Sequence, residues 1–119
     1  EQTEIQFIII AQAPRFKKDI PFDYLKQSIM TNTYVPQSIT LSDYEEQKES
    51  FYRLIPAKWH GNIVDFTNKF CAKVFCTSSA STGEILYKDK HHISNYLANN
   101  LSEDLTHVLN YILFPSNEI

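Results

Sequence analysis

The chain has 119 residues with a formal net charge of -3; 43% of them are hydrophobic, 13% aromatic and 21% charged. Those values describe one core-forming domain at most and exclude a disordered chain. With no basic run longer than Lys17-Lys18 and no apolar run longer than Phe7 to Ala11, neither a nucleic-acid footprint, a membrane-surface patch nor a helical membrane span is expected.

Glu1 leads at once into a strand-like run, with no initiator Met or leader, as expected of a piece cut from something longer. Residues Glu4 to Ile10 (EIQFIII) are β-branched and aromatic and stop at Ala11-Gln12-Ala13-Pro14, which predicts a central strand buried on both faces of a parallel sheet. Pro21 to Met30 opens with Pro and spaces Phe22, Leu25 and Ile29 at i, i+3 and i+7, which predicts a short helix. Ser42-Asp43-Tyr44-Glu45 has the capping-box pattern, and Tyr44, Phe51, Tyr52 and Ile55 fall on one stripe behind it, so a helix is predicted over Ser42 to Leu54, stopped by Pro56. Gly61 to Phe66 is a second strand candidate. Strand, helix, strand with a long crossover implies parallel pairing and an α/β organisation.

Cys71 and Cys76 lie five apart. Two thiols are too few for a structural zinc site without His, and they do not form a Cys-x-x-Cys motif, so a local disulfide and an oxidising compartment are expected. Thr77 to Gly83 is a polar loop whose hydroxyls lack the glycines of a nucleophile elbow, and Glu84 to Tyr87 is a short extended entry to the polar stretch Lys88 to His92. Leu97, Leu101, Leu105, Val108, Leu109 and Ile112 then define one apolar face of a helix from about Ser94 to Phe114.

Two Asp-x-x-His spacings occur, Asp89 to His92 and Asp104 to His107. The second lies inside the last predicted helix, where i and i+3 neighbours make an ordinary polar pair on the solvent side. The first precedes that helix in a loop, where parallel-sheet enzymes gather their chemistry. His91, between its two members, reads as a spacer. A zinc site from His60, His91, His92 and His107 has no supporting spacing, and Trp59 beside His60 reads as packing rather than a sugar platform.

A serine hydrolase needs a His as general base and a carboxylate to orient it, and an Asp three residues before the His can do the second job from the same loop. Asp65, Cys71, Cys76, Gly83 and Tyr87-x-Asp89-x-x-His92-Ile93-Ser94, with an amphipathic helix behind them, resemble the end of the SGNH domain fused to acyltransferase-3 membrane proteins, the bacterial glycan O-acetyltransferases. In that family the block reads Tyr-x-Asp-x-x-His-Leu-Ser; Ile93 stands for Leu here, and Leu97 stands where the family often has Gly. The strand ending in Ala11 to Pro14 resembles the one after the family's third block.

The resemblance implies a three-layer, flavodoxin-like parallel sheet with flanking helices. Residues 1–119 are then one partial SGNH domain, its C-terminal portion, because no Gly-Asp-Ser nucleophile block and no oxyanion Gly and Asn blocks occur among these residues. It implies His92 as general base and Asp89 as its orienting partner, with no nucleophile in this chain, no metal and no cofactor. The implied activity is O-acetylation of a cell-envelope glycan, peptidoglycan or lipopolysaccharide, on the periplasmic or extracellular face of a bacterial membrane. Implied partners are the upstream half of the domain, the acyltransferase-3 membrane domain, an acetyl donor and the glycan acceptor; a homodimer is the other way to cover open sheet edges. A free-standing SGNH esterase or lipase and a non-catalytic glycan-binding or interaction module are the competing expectations.

Overall fold

In a computed structural model of the chain, residues 6–114 are described. They form strand β1 (Ile9–Ile10), helix α1 (Ile20–Met30), β2 (Ser38–Thr40), α2 (Leu41–Arg53), a 3-10 helix (Ala57–Asn62), β3 (Ile63–Val64), the short α3 (Thr67–Phe70), β4 (Phe75–Thr77) and α4 (Asn95–Leu113). β1 and β3 pair in parallel, Ile9 with Ile63 and Ile10 with Val64, and Ala11 N–H donating to the Val64 carbonyl continues the ladder. The organisation is therefore α/β with a parallel pair and flanking helices.

The first strand is shorter and more open than its composition predicts. Glu4 and Ile5 lie outside the described residues, and the ladder covers Ile9 and Ile10 alone. Only one neighbour pairs with it among the described residues, and Ile10 stays 48% exposed, so it is not a central strand buried on both faces. β3 is likewise trimmed, because the residues from Ala57 to Asn62 coil into the 3-10 turn. β2 and β4 form a second, antiparallel pair with Ile39 opposite Cys76, and nothing in the alternation of either segment announces it.

α2 is capped by Thr40, whose hydroxyl accepts from Asp43 N–H at 3.0 Å; Ser42 already lies inside the helix, so the capping box is displaced by two positions. Its inner face carries Tyr44 and Lys48, both buried. α1 starts where Pro21 predicts, capped by Asp19, but it is turned over. Ile20 and Asp23 face inward, while Phe22, Leu25 and Ile29 are 65%, 55% and 74% exposed. A polar lock sets this orientation. Asp23 Oδ2 accepts from both Gln27 Nε2 (2.9 Å) and Gln37 Nε2 (3.2 Å), and Gln27 also exchanges two hydrogen bonds with the Val35 backbone. The buried Asp23 carboxylate keeps hydrogen-bond partners only with this face inside.

α4 matches the periodic pattern in its first half, while Leu109, expected on the same face, is 39% exposed. Ser94 is its N-cap, accepting from Leu97 N–H, and Leu97 and Leu101 are buried. With Phe16, Ile20, Phe66, Phe70, Leu86 and Tyr87 they form the core. Cys71 and Cys76 form a disulfide across an isolated antiparallel bridge, closing the turn that leads into β4.

Candidate active site

The Asp89 loop is a turn closed on itself and bolted to the core on both sides. Lys88 N–H donates to the His92 carbonyl at 2.9 Å, and Tyr87 pairs with Ile93 beneath it. One residue further out, Ser94 N–H donates to the Leu86 carbonyl and Ser94 Oγ to the Ile85 carbonyl, so the helix cap also clamps the base of the loop. Tyr87 is 1% exposed, packs edge-on against Phe16, and donates its hydroxyl to the Pro14 carbonyl at 2.7 Å. That bond fixes the segment after β1 against the turn. Tyr44 does the same from α2, donating to the Gln12 carbonyl at 2.9 Å. Burial pushes both phenols well above their ordinary range, so both stay protonated as donors. Phe16 N–H completes the frame by donating to the Lys90 carbonyl at 2.8 Å.

Within this frame Asp89 has two distinct tasks. Oδ1 accepts the backbone N–H groups of His91 (2.8 Å) and His92 (2.7 Å), which shapes the turn. Oδ2 lies 2.6 Å from His92 Nδ1. A carboxylate can only accept, so Nδ1 carries a proton and Nε2 is the nitrogen left to act. Among the described residues Nε2 has no hydrogen-bond partner, and the ring is 57% exposed. The backbone N–H of His91, then that of His92, then the His92 side chain hold the Asp89 carboxyl well below the usual carboxylate range. The pair therefore presents an oriented imidazole over an ionised carboxylate, the arrangement a general base needs.

His91 is more than a spacer. Its ring lies 4.0 Å from the His92 ring centroid, tilted by 42°, and its Nδ1 is 3.7 Å from Asp89 Oδ1. The donor atoms of Asp89, His91 and His92 fall within 4.8 Å of one another; among the described residues no other such group occurs, and His60 and His107 stand outside it. His60 Nε2 instead faces the Tyr52 and Ile55 carbonyls, and Trp59 packs edge-on against Phe7, a structural use of both rings.

The second Asp-x-x-His behaves differently. Asp104 pairs with Lys69 at 3.1 Å, across to α3 rather than along its own helix, and His107 is exposed. Asp65 is also a structural partner. It holds the buried Lys48 ammonium at 2.9 Å and accepts from Thr67, tying α2 to the end of β3. Burial alone would raise the Asp65 carboxyl, but the Thr67 and Lys48 hydrogen bonds outweigh it and the carboxyl is lowered. Among the described residues the buried hydroxyls of Ser78 and Ser79 have no partners, and Ser79 lines a cleft of about 480 Å³ between α3 and α4 that includes neither Asp89 nor His92.

Residues 1–106 match a family model described as the SGNH domain (fused to AT3 domains). The chain belongs to this SGNH family. No curated protein and no solved structure matches it. Membership supports an SGNH-type acyltransferase or esterase domain, and the fusion in the family's description connects such domains to a membrane acyltransferase. Among the described residues of this SGNH chain, no helix is long and apolar enough to cross a membrane.

Proposed function

We propose that this SGNH chain supplies the general base and its orienting acid for acyl transfer to a sugar hydroxyl of a cell-envelope glycan, peptidoglycan or lipopolysaccharide. The observation that carries the reading is the Asp89 Oδ2 to His92 Nδ1 bond of 2.6 Å, which leaves Nε2 exposed. The nucleophile comes from a Gly-Asp-Ser block outside these 119 residues. As the serine oxygen attacks the acetyl carbonyl of the donor, His92 Nε2 takes its proton and then hands it to the departing donor group. In the second half, Nε2 takes the proton of the acceptor hydroxyl as its oxygen attacks the acyl-enzyme, and returns it to the serine. Water in place of the sugar gives hydrolysis, the esterase outcome.

Fusion to an acyltransferase-3 membrane domain supports membrane delivery of the acetyl group, and the Cys71–Cys76 disulfide supports the periplasmic or extracellular side. The test is fluorophosphonate labelling of the full-length protein together with acetyl transfer by its His92→Ala variant. Labelling of the native protein and loss of transfer in the variant are expected. A variant that transfers at the native rate ends the proposal.

A further inference from the structure

The two loops that frame the site carry a charge pattern unlike the rest of the chain. Five of the 11 Lys and Arg residues fall in the seven positions 15–18 and 88–90, against one acid, Asp89, in a chain whose net charge is -3. Three of the five, Arg15, Lys17 and Lys90, meet at one cleft. Arg15, Phe16, Lys17, Gln47, Lys90 and His91 line a cleft of about 470 Å³, with no carboxylate on its wall. Within the described residues, none of Arg15, Lys17 and Lys90 has an ion-pair partner, although Lys48, Lys69 and Arg53 all do.

The cleft is also held in shape. Gln47 accepts Arg15 N–H at 2.8 Å and donates to the Arg15 carbonyl at 3.1 Å, which ties this wall to α2. The bond from Phe16 N–H to the Lys90 carbonyl ties it to the Asp89 turn. His91 thus belongs to two places at once, lining the cleft and lying tilted against His92. Unpaired cations in a fixed concavity cost electrostatic repulsion when empty, and an anion relieves it.

We infer that the Arg15–Lys17–Lys90 cleft is an acceptor subsite for an anionic glycan, one carrying carboxylate or phosphate groups within a few sugar units of the hydroxyl that is acylated. The inference rests on the placement of the reactive centre at His92. A glycan fits better than an anionic bilayer because the positive groups line a cleft without an apolar anchor: the aromatic ring among them, Phe16, is 5% exposed and offers nothing to insert into lipid.

Binding by the full-length protein tests this, with tetragalacturonate as the carboxylate probe, a glycerol phosphate oligomer as the phosphate probe, and maltotetraose as the neutral control. Three partly exposed charge pairs should favour at least one anionic probe by roughly tenfold at low salt. The Arg15→Gln, Lys17→Gln, Lys90→Gln triple variant should lose that preference, and Arg15→Lys with Lys17→Arg and Lys90→Arg should restore it. Should the neutral variant fail to fold, the native protein decides: the preference must shrink as salt rises. Equal binding of all three probes, a preference untouched by the Gln variant or by salt, or binding confined to phosphatidylglycerol vesicles overturns the subsite. The His92→Ala protein separates this from the catalytic reading, because native acyl transfer without His92 removes the mechanism while the probe preference is measured independently.

Discussion

At Asp89 one carboxylate shapes the turn with Oδ1 and orients His92 with Oδ2, and a single isosteric change separates these tasks. In Asp89→Asn the amide oxygen still accepts the His91 and His92 backbone N–H groups, so the turn persists. The amide nitrogen now offers a donor where Nδ1 needs an acceptor, which favours the tautomer with its proton on Nε2 and spoils the base. Activity of the full-length protein should fall by roughly 10²- to 10⁴-fold with the loop's amide NMR shifts preserved; near-native activity would remove Asp89 from the mechanism. The carboxyl is also lowered by its three hydrogen bonds. For a depressed acid, the stabilisation is present above the unfolded carboxylate value and is lost as pH falls through the folded one. A ¹³C carboxyl titration should therefore give a midpoint for Asp89 below its reference value of 3.8, with the His91 and His92 amide shifts steady until that point is passed. The Asp-x-x-His spacing made this pair legible once its neighbours were read with it. The part of His91 was not legible, because a residue between two motif positions carries no pattern of its own; Lys17-Lys18 was visible only as a short basic pair, and it takes the tertiary structure to bring Arg15 and Lys17 onto one cleft with Lys90.

Among the elements, α4 and α2 were readable because each has a long periodic face and a cap nearby; the departures are the α2 cap at Thr40 rather than Ser42, Lys48 buried on the inner face of α2, and Leu109, expected on the apolar face of α4 but 39% exposed. α1 was readable as a helix and misread as a surface. Its apolar stripe looks like a core face by spacing, yet Ile20 and Asp23 are the ones held inside, and Asp23 is held there by Gln27 and by Gln37, which lies in a different segment. β2 and β4 were invisible for a related reason: three residues each give no periodicity, and what holds them is the pairing with each other and the turn before β4. The Cys71–Cys76 bond is the covalent part of that turn. Closing a loop with a sequence separation of 5 restricts the unfolded chain and should contribute about 2 kcal/mol. Replacing both cysteines by Ser should lower the unfolding free energy by about that amount in a urea titration, and the native protein in a strong reductant should shift likewise. Equal midpoints for native and variant would show that β4 is held by its pairing alone.

The molecule as a whole is less compact than its length allows. Its Cα radius of gyration is 17.1 Å, where a closed domain of this size has about 13.5 Å, and its long axis reaches 64 Å. The surplus is apolar surface. Phe22, Leu25, Ile29 and Met30 lie on the outside of α1, and a cleft of about 540 Å³ lined by Phe7, Ile8, Ile63, Val64, Val108 and Ile112 opens between the parallel pair and the end of α4. A two-stranded parallel pair is too small to stand by itself, since parallel sheets are stable when layers cover both faces and neighbours cover both edges. The 119-residue chain expressed alone should consequently bind a hydrophobic dye and self-associate as its concentration is raised, with mass measured by light scattering climbing above the 13.9 kDa of one copy. Leu25→Glu with Ile29→Glu should reduce both signals, because these side chains are 55% and 74% exposed and the new carboxylates would meet water. A chain that stays monomeric at every concentration and leaves the dye dark would mean that the open faces are closed by rearrangement within the chain itself. The Asp89 turn would then move with them, since Phe16 N–H and Ile20 N–H donate to the Lys90 and Asp89 carbonyls while both side chains pack on the same core.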